Sequence, residues 1–130
     1  MSESINVALV GLGRIGGQFA TSLAAHIEKS DTAIKIVAIA ERNPDSALAK
    51  QFASDGMPVF TDALEIADLG EKVDIIFDLT GIPDTRQALR NKLREMNNNH
   101  TVLVPEVFVR MLWSFLGEGV ALAAPLRTGY

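Results

Sequence analysis

The chain has 130 residues, 48% hydrophobic and 22% charged, with a net charge of −4. That length supports one compact domain with its own core, not two. The acidic balance gives no support to a nucleic-acid surface, and the absence of cysteine excludes disulfides, thiolate metal sites and a cysteine nucleophile. The opening Met1-Ser2-Glu3-Ser4 lacks the basic segment and long apolar run of a signal peptide. No apolar stretch reaches the roughly 20 residues of a membrane-spanning helix. The expectation is a soluble, cytoplasmic protein with neither a nucleic-acid nor a membrane partner.

Ile5 to Val10 is an apolar run ending at Gly11, the pattern of a strand buried on both faces of a parallel sheet. Ile15, Phe19, Leu23 and Ile27 then recur every four residues, which predicts a helix to about Lys29. Ile34 to Ala40 reads as the second strand. Asn43-Pro44-Asp45 reads as a helix start with proline in the first turn, and Asp55-Gly56 as that helix's stop. Pro58 to Phe60 reads as a short third strand. Thr61 is a candidate N-cap for a helix over residues 62–69, with Gly70 as its stop. Val73 to Leu79 reads as the fourth strand, and Pro83 or Asp84 opens a helix to about Met96. After the polar turn Asn97-Asn98-Asn99-His100, Thr101 to Val104 reads as the fifth strand and Glu106 to Leu116 as a last helix, ended by Gly117 and Gly119. Val120 to Ala124 reads as a sixth strand or a loosely packed segment, and Arg127 to Tyr130 as a frayed tail. Alternating strands and helices imply right-handed βαβ crossovers and a parallel sheet. The predicted fold is therefore α/β, a doubly wound three-layer αβα arrangement of the Rossmann type, as one domain over residues 1–130.

Gly11-Leu12-Gly13-Arg14-Ile15-Gly16 is G-x-G-x-x-G. Alone that pattern is weak. Here a buried strand precedes it and an amphipathic helix follows, the context a dinucleotide loop requires. Gly11 allows the tight turn, Gly13 lets backbone approach a pyrophosphate, and Gly16 lets helix and strand pack closely. The anion would sit on the helix N-terminus. The bland alternative is a glycine turn with no ligand. Arg14 can contact the pyrophosphate or point into water.

Glu41 follows the second strand, where the fold places a carboxylate beside the adenosine ribose hydroxyls and against a 2′-phosphate. Its spacing from Gly16 is somewhat longer than the roughly 20 residues of the rule, and the turn at residues 30–32 absorbs the excess. The alternative is a solvated loop glutamate. Arg42 next to it can hold a 2′-phosphate or stack on adenine, so the preference for NAD over NADP rests on charge. Thr80, Gly81 and Pro83 follow the fourth strand, which flanks the topological switch point with the first. They either border the dinucleotide or form a plain Gly/Pro turn. Asp78 reads as a structural hydrogen-bonding residue.

NVALVGLGRIG, VAIAERNPD and VDIIFDLTGIPD, in that order, resemble the N-terminal half of the glucose–fructose oxidoreductase/inositol dehydrogenase superfamily. They are also similar to homoserine and aspartate dehydrogenases. The resemblance covers about residues 5–90. It implies cofactor contacts from Gly11, Gly13, Arg14, Ile15, Glu41 and Arg42, with Thr80 to Pro83 near the dinucleotide. Sugar dehydrogenases of that superfamily usually carry Glu-Lys-Pro after strand five. Here the stretch is Val104-Pro105-Glu106-Val107, without a lysine, and the expectation is a domain without the C-terminal substrate domain. The ending VFVRMLWSFL is similar to small Rossmann domains found alone or fused to bacterial sensor kinases.

Hydride transfer needs a cofactor, a substrate pocket and usually an acid/base group. Only the first is legible. His26 reads as a surface residue of the first helix and His100 as a turn residue at the amino end of strand five. No metal-ligand cluster appears. The expectation is a stand-alone NAD(H)-binding module that senses redox state or nucleotide, with no catalytic residue assigned. The alternatives are a dehydrogenase whose substrate site is completed by oligomerisation or a partner chain, and a domain that binds another nucleotide. Trp113 reads as core; Phe108 and Phe115, on other sides of the last helix, suggest a homo-oligomer or protein-partner surface.

Overall fold

The computed structural model describes residues 4–116. The elements alternate as read: β1 Ile5–Val10, α1 Arg14–Lys29, β2 Ile34–Ala40, α2 Ala47–Ser54, β3 Val59–Phe60, α3 Leu64–Ala67, β4 Ile75–Asp78, α4 Pro83–Glu95, β5 Val102–Pro105 and α5 Glu106–Leu116. A 3-10 turn at Gly70–Lys72 separates α3 from β4. The predicted sixth strand, the two glycines after α5 and the tail lie outside the described residues.

The strands pair in parallel in the order β3-β2-β1-β4-β5. The sheet thus grows one way from β1 to β2 and β3, and the other way through β4 and β5. The apolar run of β1 follows from this central place. Val7 and Leu9 bury on one face with α1, α2 and α5, and Ala8 and Val10 on the other with α3 and α4. Helices on both faces make the three layers of the doubly wound fold.

α1 is fixed by the stripe Ile15, Phe19 and Leu23, all buried. The Phe19 ring meets Phe77 of β4 at a centroid distance of 5.2 Å and 58° between planes, a tilted aromatic contact. Phe19 is fully buried, so truncation to alanine costs about 3–5 kcal/mol. On the other face Leu89 and Leu93 anchor α4. α4 begins on Pro83, whose missing N–H would have had no intrahelical acceptor there.

Two helix starts differ from expectation. α2 begins at Ala47, not near Asn43, with the Ser46 hydroxyl accepting the Ala49 N–H at 3.1 Å. Asn43 instead closes a turn: its side-chain oxygen accepts the Asp45 N–H at 3.0 Å and its carbonyl the Ser46 N–H at 3.1 Å. An asparagine that can bond its own backbone competes with helix there. α3 is shorter than residues 62–69, and Asp62, not Thr61, bonds its first turn through the Leu64 N–H at 2.9 Å. Among the described residues, no helix is long and apolar enough to cross a membrane.

Candidate functional site

Hydrogen bonding continues past the carboxyl ends of the strands. The Gly11 N–H donates to Ala40 O, the Leu79 N–H to Val10 O and the Glu41 N–H to Phe60 O, each at 2.8 Å. These bonds hold the loops after β1, β2 and β4 side by side. A cleft of about 480 Å³ opens between them.

The three glycines of the first loop have different surroundings. Gly11 has φ +99°, which other residues adopt only with strain. A Cβ on it would also lie 3.1–3.2 Å from Thr80 and Leu79. A Cβ on Gly16 would sit 2.0 Å from Gly11 O, an impossible contact. A Cβ on Gly13 would meet nothing within 4 Å. Gly13 lines the cleft, so the space beside it is open to a ligand and is not filled by the fold.

Gly13 is also the N-cap of α1. No side chain caps that terminus and its first turn holds no acidic residue. The first intrahelical bond runs from the Gly17 N–H to Gly13 O at 2.7 Å. The N–H groups of Arg14, Ile15 and Gly16 therefore lack intrahelical acceptors, beside the positive end of the helix dipole.

Glu41 stands at the rim, held by two backbone donors. The Leu12 N–H donates to its Oε1 at 2.6 Å and the Asn43 N–H to its Oε2 at 2.8 Å. The carboxylate is thus oriented before any ligand arrives, and each oxygen keeps acceptor capacity. Its link to Leu12 also ties the glycine loop to the end of β2.

Of the residues singled out from sequence, Gly11, Gly13, Glu41, Arg42 and Thr80 line the cleft. Arg14 is exposed on the first turn of α1, whereas Ile15 and Gly16 are buried, so Ile15 offers a ligand its N–H and not its side chain. Gly81 (φ +66°) and Pro83 shape the turn from β4 into α4 without lining the cleft. Thr61, Asp62 and Ala63 after β3, and Ile82 and Thr85 at the start of α4, also line it. The residues after β3 were overlooked, although the rule that ligands sit outside the carboxyl ends of the strands covers that loop too.

A groove of similar size, about 500 Å³, runs along the flank of α1 beside Leu48 and Trp113. Its lining holds no charged side chain. Among the described residues, the first cleft combines an uncapped helix N-terminus, an oriented carboxylate and an open glycine, a set that can take an anion and a polyol together. Neither histidine is near it: His26 lies in the last turn of α1. The His100 Nε2 lies 2.6 Å from Asp74 Oδ1, at the amino ends of β4 and β5.

Residues 11–108 match the family model of the homoserine dehydrogenase NAD-binding domain. The chain belongs to that family. Its cofactor is NAD(H), and the domain is related to the N-terminal domains of dehydrogenases. No curated protein matches the chain in sequence. Among solved structures, homoserine dehydrogenase from S. aureus superposes with a TM-score of 0.60 at 24% identity, over 91% of this chain and 31% of that one. Homoserine dehydrogenase from Thiobacillus denitrificans gives 0.57 at 27% identity, over 88% of this chain and 26% of that one. 2-Dehydropantoate 2-reductase from Porphyromonas gingivalis W83 shares the fold, with a TM-score of 0.53 at 21% identity, over 85% of this chain and 42% of that one. The chain thus spans less than a third of the homoserine dehydrogenases it resembles.

Proposed function

We propose that this domain, residues 1–130 as one unit, holds NAD(H) in the cleft at the carboxyl ends of its strands and works as a nucleotide- or redox-sensing module. The pyrophosphate sits on the N–H groups of Arg14, Ile15 and Gly16, with Gly11 and Gly13 giving it room and the Arg14 guanidinium beside it. The adenosine ribose hydroxyls donate to Glu41, next to Arg42. Thr80, in the turn that Gly81 and Pro83 shape, borders the other half. The observation that carries this reading is the Glu41 carboxylate, fixed at the rim by the Leu12 and Asn43 N–H groups. The same charge opposes a 2′-phosphate, which favours NAD over NADP. The cysteine-free composition supports a cytoplasmic setting.

Calorimetric titration with NADH and NADPH tests the reading. NADH is expected to bind, and NADPH to bind roughly tenfold more weakly because two negative charges meet at Glu41. Silence of both at millimolar concentration would sink it, and preference for NADPH would overturn the role of Glu41.

A second reading is an oxidoreductase whose substrate site is completed by a second copy of this chain. Its support is α5, where Val107, Met111 and Phe115 are 58%, 51% and 80% exposed, beside β5, the edge strand among the described residues, with Val102 at 53%. Arg110 on the same helix lies 4.0 Å from Glu106, so its charge is answered within the helix. An apolar edge of this kind can meet its own copy across a two-fold axis. Light scattering that finds only monomer at high concentration would reject it.

A further inference from the structure

Asp78 ends β4, between Val10 of β1 and Pro105 of β5. It is 1% exposed, behind Leu79 and Thr80, which line the cleft. Its two oxygens do different things. Oδ1 accepts the Thr80 N–H at 3.1 Å and the Thr80 hydroxyl at 2.7 Å. The Thr80 oxygen in turn accepts the Ile82 N–H at 3.1 Å. That chain of bonds shapes the turn from β4 to α4. Oδ2 is buried and has no hydrogen-bond partner.

One oxygen therefore performs all the hydrogen bonding that the turn needs, a part that an asparagine carbonyl could also play, with weaker bonds. The second oxygen brings negative charge into a buried place, which opposes folding. The hydrogen bonds of the turn give Oδ1 a role and Oδ2 none. A ligand with a positive charge would give it one. The fold divides a dinucleotide about the switch point, with the adenosine half over β1, β2 and β3 and the other half over β4 and β5. Asp78 ends β4, on that second side of the sheet. Of the two forms of the cofactor, only the oxidised one carries a positive charge on its nicotinamide ring.

We propose that the buried Asp78 carboxylate, set beneath the Thr80 turn, makes this site distinguish the oxidation state of its cofactor, favouring NAD+ over NADH. The inference rests on NAD(H) occupying the cleft. It assigns Asp78 as a positioning and selectivity residue that acts by its charge and through Thr80.

Calorimetry with NAD+, NADH and ADP-ribose on the wild type and on Asp78→Asn tests it. In the wild type NAD+ binds more tightly than NADH. In Asp78→Asn the NAD+ affinity falls roughly tenfold relative to that of NADH and of ADP-ribose, because the lost charge acts alike on the pyrophosphate all three share and only NAD+ carries the cationic ring. Equal weakening of NAD+ and NADH in the variant overturns the proposal, since that is what a purely structural role for the turn predicts. Tighter binding of NADH by the wild type overturns it too, and decides the matter even if Asp78→Asn does not fold. ADP-ribose separates the two levels. If the wild type binds none of the three ligands, the NAD reading fails and takes this inference with it. If ADP-ribose binds and the oxidation states are not told apart, only this inference falls.

Discussion

At the amino ends of the strands, Asp74 accepts the Asn6 N–H at 2.7 Å on Oδ2, and His100 lies 2.6 Å from its Oδ1. Next to it Asn98 bonds the His100 and Thr101 N–H groups at 3.0 Å each, and the Thr101 hydroxyl donates to Val73 O at 2.7 Å. At the carboxyl ends Glu41 also accepts two backbone donors. It does so beside a cleft, an uncapped helix and a glycine with nothing around its missing Cβ. Both ends thus carry a carboxylate that pins backbone. At one end the chain closes on itself. At the other, donor and acceptor capacity is left over, and that surplus marks the binding end better than the count of charged residues does.

The largest expected effect comes from two glycines of the same loop. Gly16→Ala places a Cβ 2.0 Å from Gly11 O. Both atoms belong to backbone held by helix and sheet, so the loss should exceed about 3 kcal/mol, at the upper end for overpacking. Gly13→Ala meets nothing within the protein and its φ of −71° suits alanine. Its stability should change by less than about 1 kcal/mol, while NADH affinity falls at least about tenfold because the methyl group takes the space of the pyrophosphate. Thermal melts and NADH titrations on both variants check this. A stable Gly13→Ala protein with unchanged affinity would place the cofactor elsewhere.

Much of this division was legible in the sequence. Runs such as INVALV and IKIVAIA read as strands buried on both faces, and the G-x-G-x-x-G between strand and helix located the loop. The cleft wall after β3 was legible only as the end of a short strand. β3 is two residues long, too short for a period-2 pattern, and Asp62 read as part of a helix that starts at Leu64. Asn43 was misread because proline after it suits a helix start as well as a turn, and the Ser46 cap shows only in three dimensions. The double duty of Glu41 was likewise hidden. Sequence placed it near the ribose but could not show that Leu12, far from it in the chain, donates to it.

That double duty changes the expected outcome at Glu41. Glu41→Gln keeps the size but turns one acceptor into a donor facing a backbone N–H. One of the two backbone bonds is lost, at about 1 kcal/mol. NADH affinity should fall by about tenfold from the lost charged acceptor. NADPH should weaken less, since the repulsion of its 2′-phosphate is relieved in the same step. Parallel titrations with both cofactors read the difference. Equal loss for both would mean that Glu41 only braces the loop and does not touch the ribose.

The smallest effect belongs to the closed end. The Asn6 backbone bond, and after it the His100 contact, hold the Asp74 carboxyl below its usual range. Folding therefore favours the charged form. The resulting stability is present above about pH 4, the ordinary aspartate value, and is lost as pH falls through the lowered value of the folded state. The pair is partly exposed, 51% for His100 and 29% for Asp74, so water screens it and its share is small. Asp74→Asn should lower Tm by a few degrees at neutral pH, and the gap from wild type should shrink as pH drops below about 4. NADH affinity should not move, because Asp74 lies at the opposite ends of the strands from the cleft. Melting curves from pH 3 to 7 and a single titration decide both points. A pH-independent gap would mean that Asp74 acts by shape and not by charge, and a change in NADH affinity would show that the two ends of the sheet are coupled.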